Sequence, residues 1–279
     1  MSSKMKWVAF GVVLSVLAVQ SSTTVHAEGS IADKNLETAI KKLLKKKDAD
    51  KLTDDDLKDV YTLKARGKEI ASLAGLEKCT NLALLDLANN KVVDLKPLSG
   101  LKNIQSLDLS GNAIADVKPL GSLVKLQYLK LDKNQIADLA GLTTLSKLTA
   151  LYLSNNKIQN VAPLAKLEKL SSLYLNGNQI KEIGGLKGLK WLSSLDLKGN
   201  QISNVSALTN MTELRYTFLQ GNKVADIAPL VAMAKKDAAG EKRFAPYWNL
   251  YLGGNPLGEA SKTAHVAELK KIGVRLNLN

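Results

Sequence analysis

Apolar residues recur along most of this chain with a period of twenty-two. Counting from Leu82, Ile104, Leu126, Leu148, Leu170, Leu192 and Leu214, they fall at offsets 0, 3, 5, 10, 13, 16 and 19 of each unit, Thr217 excepted. The first three include an alternating Leu-x-Leu, in which every second side chain points to one face, so each unit predicts one short strand. Offsets 13, 16 and 19, as in Val117, Leu120 and Leu123, are spaced by three, which predicts an irregular or 3₁₀-like return arm. Pro97, Pro119, Pro163 and Pro229 are expected to interrupt that arm. A unit this short buries too little apolar surface to offset the entropy of ordering its backbone. Units must stack, which predicts a solenoid of parallel strands.

Two polar columns run through the same pattern. Asn90, Asn112, Asn134, Asn156, Asn178, Asn200 and Asn222 stand twenty-two residues apart. A carboxamide both donates and accepts, so an inward asparagine at the bend can bond the backbone of its own turn and of the next. Asp94, Asp116, Asp138, Asn160, Glu182, Asn204 and Asp226 form the second column. Calcium needs six to eight converging oxygens, whereas these residues come one per coil, so capping of exposed amides at the start of the return arm is the expectation. No metal site is predicted.

The ends depart from the period. Residues 35–47 predict an amphipathic helix with Leu36, Ile40, Leu43 and Leu44 on one side, and Thr53 before three aspartates predicts a helix start. Past Leu230 the pattern resumes only at Tyr247, Leu250, Leu252 and Asn255, thirty-three residues after Leu214, which implies an eleven-residue insertion carrying Lys235, Lys236, Asp237, Phe244 and Trp248. Residues 259–272, closed by Gly273, predict a last helix, with Val274, Leu276 and Leu278 as an edge strand. Both ends being capped, one complete domain is expected.

The unit Leu82-Ala-Leu-Leu85-Asp-Leu87-Ala-Asn-Asn90-Lys-Val92-Val-Asp94-Leu-Lys-Pro97-Leu98 resembles the 22-residue leucine-rich repeat of bacterial internalin-type proteins. The similarity covers almost the whole chain beyond its first residues. The stretch 31–82 is similar to that family's helical amino-terminal cap running into a degenerate first repeat, where Val60, Leu63, Ala65, Ile70, Leu73, Leu76 and Cys79 keep the columns and Lys68 replaces the asparagine. The resemblance implies an α/β leucine-rich-repeat solenoid: a curved parallel β-sheet on the concave face, irregular or 3₁₀ convex arms, and helical caps at both ends. It also implies a concave binding face, although members of such a fold bind unrelated partners. The organisation expected is a signal peptide over 1–27, a helical cap over 28–59, repeats over 60–257 with the insertion at about 235–246, and a carboxyl-terminal helical cap over 258–279.

Compartment is read from the first residues. Two lysines precede the apolar run from Trp7 to Val19, and Val25-His26-Ala27 offers small residues at minus three and minus one. This predicts a secretory signal peptide cleaved after Ala27 and a secreted or periplasmic product. No cysteine follows for a lipid anchor and no LPxTG motif stands at the carboxyl end. Cys79, the single cysteine, occupies an apolar column and reads as core. The cysteine-poor design with two caps points, through the resemblance, to a bacterium.

The formal net charge is +13, and without Lys4 and Lys6 it is +11. Such a protein is drawn to anionic surfaces. The densest run, Lys41, Lys42, Lys45, Lys46 and Lys47, is expected on the outer side of the cap helix, where it reads as a solvated face or as a contact for an anionic glycan or cell-surface polymer. Nucleic acid is not expected as a partner, because the predicted signal peptide exports the chain, its basic residues are dispersed and no dedicated binding motif is present.

The positions left free by the repeat carry the functional reading. The residue between the inward leucines must face the concave surface, giving Asp86, Asp108, Lys130, Tyr152, Tyr174, Asp196, Phe218 and Tyr251. The flanking outward column adds Leu84, Ser106, Tyr128, Ala150, Ser172, Ser194 and Tyr216. The aromatics gather there while the core positions are mostly aliphatic. β-propensity alone favours aromatics in strands, but a rigid, partly polar strip is what a recognition surface needs. The expected binding residues are Tyr128, Lys130, Tyr152, Tyr174, Asp196, Lys198, Tyr216, Phe218 and Tyr251, with Asp132 nearby.

Catalysis finds little support. Beyond His26 the only histidine is His265, read as a surface residue, and no Ser-His-Asp set, Cys-His set, phosphate loop or zinc cluster is legible. Asp86 and Asp108, on adjacent strands about 5 Å apart, offer a two-carboxylate site without an evident pocket. The expectation is a nonenzymatic scaffold without a cofactor that binds a protein partner. A polyanion-binding protein and a regulatory subunit of an envelope enzyme are the alternatives.

Overall fold

The computed structural model describes residues 30–279. The signal-peptide reading and its cleavage site lie outside the described residues. Ten strands form one open, fully parallel sheet in chain order. They are β1 (Thr62–Lys64), β2 (Leu84–Asp86), β3 (Ser106–Asp108), β4 (Tyr128–Lys130), β5 (Ala150–Tyr152), β6 (Ser172–Tyr174), β7 (Ser194–Asp196), β8 (Tyr216–Phe218), β9 (Asn249–Tyr251) and β10 (Arg275–Asn277). From β1 to β8 the register advances by one repeat per strand, as in Asp86↔Asp108↔Lys130. The α/β leucine-rich-repeat solenoid read from the sequence is the fold observed.

From β1 to β9 the central residue of each strand is buried and its two neighbours face outward, while Leu276 of the edge strand β10 is half-buried. Behind the sheet the return arms contain 3₁₀ segments such as Lys118–Ser122 and Ala162–Lys166. Pro97, Pro119 and Pro163 do not interrupt these segments. Each sits in their first turn, where no backbone donor is needed and the fixed φ suits the start. The second polar column behaves as expected at most positions: Asp94, Asp116, Asp138, Asn160, Asn204 and Asp226 accept the N–H two residues on, at 2.8–2.9 Å.

The asparagines bond the coil before them, not the one after. Asn156 Nδ2 donates to Leu153 O in its own turn and to Leu131 O in the preceding one, while its Oδ1 accepts the N–H of Ile136. Asn90 serves the degenerate first coil in the same way, accepting from Lys68 and Ile70. Beside this ladder runs a column with left-handed backbone: Gly67, Asn89, Gly111, Lys133, Asn155, Gly177, Gly199, Gly221 and Gly254 all have φ between 55° and 71°. Glycine and asparagine tolerate that conformation, and Lys133 is the lysine among them.

The amino-terminal cap consists of α1 (Lys34–Leu43) and α2 (Asp54–Lys58). Asp33 caps α1 through Oδ1 and reaches the first coil through Oδ2, which accepts from Ala71 and Ser72. Thr53 and Asp56 form a capping box on α2. Two expectations fail here. Leu43 ends the helix exposed: α1 stops four residues short of Lys47, and in its last turn Ile40 and Lys41 are the residues buried. The lysine run is not a uniform outer face either: Lys41 is buried, paired with Glu37 at 2.7 Å and donating to Asp48 O, and Lys46 pairs with Asp56 at 2.7 Å.

The insertion begins as helix and ends in a turn. α3 (Ala228–Ala239) replaces the return arm, with Pro229 in its first turn instead of breaking it. Asp237 accepts from the N–H groups of Arg243, Phe244 and Ala245, and so ties the end of the helix to the following turn. The chain then enters β9. Past a π-helical stretch, Ser261–His265, α4 (Val266–Ile272) ends on Gly273 with left-handed backbone, and β10 forms the sheet's last edge.

Candidate functional site

The strand register places the functional residues in two adjacent outward columns. The first reads Leu84, Ser106, Tyr128, Ala150, Ser172, Ser194, Tyr216 and Asn249, and the second reads Asp86, Asp108, Lys130, Tyr152, Tyr174, Asp196, Phe218 and Tyr251. Nearly all are half-buried because neighbouring strands crowd their side chains. Tyr216 is exposed.

The aromatics form two stacks and not one strip. Tyr152 lies parallel to Tyr174 with ring centroids 4.6 Å apart, and Tyr128 meets Tyr152 at 5.3 Å and a tilt. Phe218 stacks on Tyr251 at 4.6 Å, and Tyr216 lies 6.5 Å from Phe218. Between the stacks stands Asp196, registered with Tyr174 on one side and Phe218 on the other.

Each stack has a different charge beside it. Lys130 Nζ lies 5.0 Å from the Tyr152 ring and 5.4 Å from the Tyr128 ring, a cation over π faces. The Tyr128 hydroxyl holds the Lys130 ammonium above its ordinary range, against burial that works the other way. Burial and the Tyr128 hydroxyl push the Tyr152 phenol up to about 12, so it stays neutral beneath the lysine. Burial likewise raises the carboxyl of Asp196, opposed by the Lys198 N–H that bonds its Oδ1 at 3.0 Å. Lys198 itself is exposed. Asp132 is raised by burial too, although it accepts the Ser154 N–H at 2.8 Å.

Two contacts escaped the sequence reading. Ser194 Oγ donates to the Tyr174 hydroxyl at 3.2 Å, tying that ring to β7. Thr217 fills an inward leucine position, and its buried hydroxyl accepts the Trp248 indole N–H at 2.9 Å. The break in the Leu-x-Leu column at β8 was the signal for the second.

The structure does bring a serine, a histidine and an aspartate together, which the sequence did not suggest. Ser261 Oγ lies 3.3 Å and Asp226 Oδ1 3.8 Å from His265, but both face the same ring nitrogen, Nδ1. A relay needs the two partners on opposite nitrogens, and Ser261 is buried and accepts the Ile227 N–H. The trio is a packing contact. Asp86 and Asp108 are registered neighbours, and each accepts an N–H two residues on, from Ala88 and Ser110. A cleft of about 580 Å³ opens beside α3, lined by Lys190, Thr212, Lys236, Arg243 and return-arm neighbours. None of the sheet-face residues lines it, and its Asp237 is spent on backbone donors. Among the described residues no cluster of histidine, cysteine and carboxylate side chains could hold a metal.

Residues 81–228 match the family model described as a leucine-rich repeat region. No curated protein matches the sequence. Among solved structures, internalin C2 from Listeria monocytogenes is 33% identical, with 72% of this chain and 89% of that chain covered and a TM-score of 0.67. A leucine-rich-repeat protein of Leptospira interrogans is 22% identical over 81% of this chain and 62% of its own, at a TM-score of 0.69. The plant peptide hormone receptor RGFR1, solved in complex with RGF2, is 23% identical over 72% of this chain and 33% of its own, at 0.59. Family match, repeat register and capped sheet agree: this chain belongs to the leucine-rich-repeat proteins of the internalin type.

Proposed function

We propose that the protein is an extracytoplasmic, nonenzymatic binding module that holds a protein partner on the open face of its sheet. The observation that carries this reading is the pair of aromatic stacks, Tyr128–Tyr152–Tyr174 and Tyr216–Phe218–Tyr251, on positions the core does not need. Rings held rigid by stacking lose little entropy on binding and supply large contact areas. The plant receptor, which shares the fold, is recorded with RGF2. Secretion, with cleavage after Ala27, rests on the amino-terminal sequence.

The test is capture of a partner from the envelope fraction of the source organism, followed by affinity measurement on the double variant Tyr152→Ala, Tyr174→Ala. Central aromatic contacts are worth about 2 kcal/mol or more each, so affinity should fall at least about tenfold while the melting curve keeps its cooperativity. Unchanged affinity would remove the site from this face. The polyanion reading predicts instead that reversing Lys42, Lys45 and Lys47 abolishes binding and that salt weakens it steeply. The pairing of Lys41 and Lys46 with acidic neighbours counts against that alternative. If the captured partner is an enzyme whose turnover changes on binding, the regulatory-subunit reading gains instead.

A further inference from the structure

The two aromatic stacks differ in one respect that bears on the partner's chemistry. The first already has its cation, because Lys130 sits over Tyr128 and Tyr152. The second has a carboxylate at its edge, and among the described residues no cation pairs with that carboxylate. Asp196 is bonded through Oδ1 to a backbone N–H, and among the described residues no bond engages Oδ2. Lys198 is close enough to draw on the carboxylate without forming an ion pair. A partly desolvated carboxylate with no cation in direct contact is an unfavourable arrangement that a directly bonded cation would relieve.

We propose that Asp196, between Tyr174 and Phe218, is the receptor for an arginine side chain on the partner protein. The inference rests on the sheet-face reading given above. Tyr174 and Phe218 are carried by strands two spacings apart, about 10 Å, which is twice the 5.0 Å at which Lys130 sits from the Tyr152 ring. A flat guanidinium entering there has a π face on each side and a carboxylate oxygen at the base. Arginine fits better than lysine because its planar group stacks on rings and meets a carboxylate with directed donors, while an ammonium keeps its water more strongly. The Ser194 bond to the Tyr174 hydroxyl fixes one wall, and stacking on Tyr251 fixes the other. The arrangement mirrors the Lys130 site with its charges exchanged: there the cation is built in, and here the anion waits for one.

The probe is ethylguanidinium chloride titrated into the folded protein, followed by nuclear magnetic resonance, with ethylammonium chloride and ethylurea as controls. The Lys198 amide, which donates to Asp196, and the Phe218 ring signals should shift saturably with ethylguanidinium. They should shift at least about fivefold less at equal concentration with ethylammonium, and not at all with ethylurea. Asp196→Asn keeps an oxygen for the Lys198 N–H, so the fold should hold while the response disappears. Phe218→Leu keeps apolar bulk, removes one wall and should weaken the response severalfold. Equal shifts with ethylurea, or a response that survives in Asp196→Asn, would overturn the proposal. If the tyrosine double variant loses the captured partner but ethylguanidinium gives no response, this inference falls alone. If the partner binds the tyrosine variant normally, the sheet-face reading falls and takes this inference with it.

Discussion

Asn156 shows how much one buried side chain does in this fold. It is 7% exposed, and it satisfies two carbonyls and an amide belonging to two different coils. Asn156→Ala leaves those groups unpaired at about 1–3 kcal/mol, whereas Lys157→Ala, next to it and exposed, should change stability by less than about 0.5 kcal/mol. Urea melts of the two variants check the pair. Lys133 carries a left-handed backbone at φ 55° where most coils have glycine, so Lys133→Gly should stabilise by up to about 1 kcal/mol, read from the same melts. Cys79 is buried, and burial, aided by Glu77, pushes its thiol up to about 12. Since the thiolate is the reactive form, iodoacetamide at pH 8 should leave the native protein unlabelled and label it in denaturant.

At the level of elements, strands and 3₁₀ arms were legible because a strict twenty-two-residue period fixes which side chains turn inward. The aromatic columns were legible for the same reason. Their division into two stacks was not, since it depends on how neighbouring rings tilt around Asp196. α3 is not legible in the period, which breaks there; its local signal is composition, since its alanines, leucine and methionine are strong helix formers. Pro229 suits the first turn of such a helix and was misread as a breaker. The cap depends on Asp33 in a way the sequence did not show. Burial works to raise its carboxyl, but N–H bonds from Ala71, Ser72, Leu36 and Asn35 outweigh it and hold the group below its ordinary value. A depressed carboxylate stabilises above its unfolded value of about 3.9 and loses that contribution as pH falls through its lower folded value. Melting temperatures of Asp33→Asn should therefore lie below the parent near neutral pH and converge with it under acid conditions.

For the molecule as a whole, stability is a sum over neighbouring coils. Excision of residues 104–125, one full period, should leave a cooperatively folding protein with a lower melting temperature, measured by circular dichroism. Excision of residues 104–114 alone would remove β3 and the Asn112 side chain but leave their return arm without a strand, and should lower the melting temperature further than excision of the full period. The backward reach of the asparagines gives this stack a direction in time. Asn90 closes the first coil, each later asparagine closes the one before its own, and Asn255 does this for the coil of Asn222 by accepting from Val224. A chain emerging amino end first, as from an export pore, can latch each coil only once the asparagine of the next has emerged, so the last coil to emerge is always the unlatched one. The detour through α3 delays the final latch, and Lys68 needs no asparagine of its own because nothing in the repeat array comes before it to be closed.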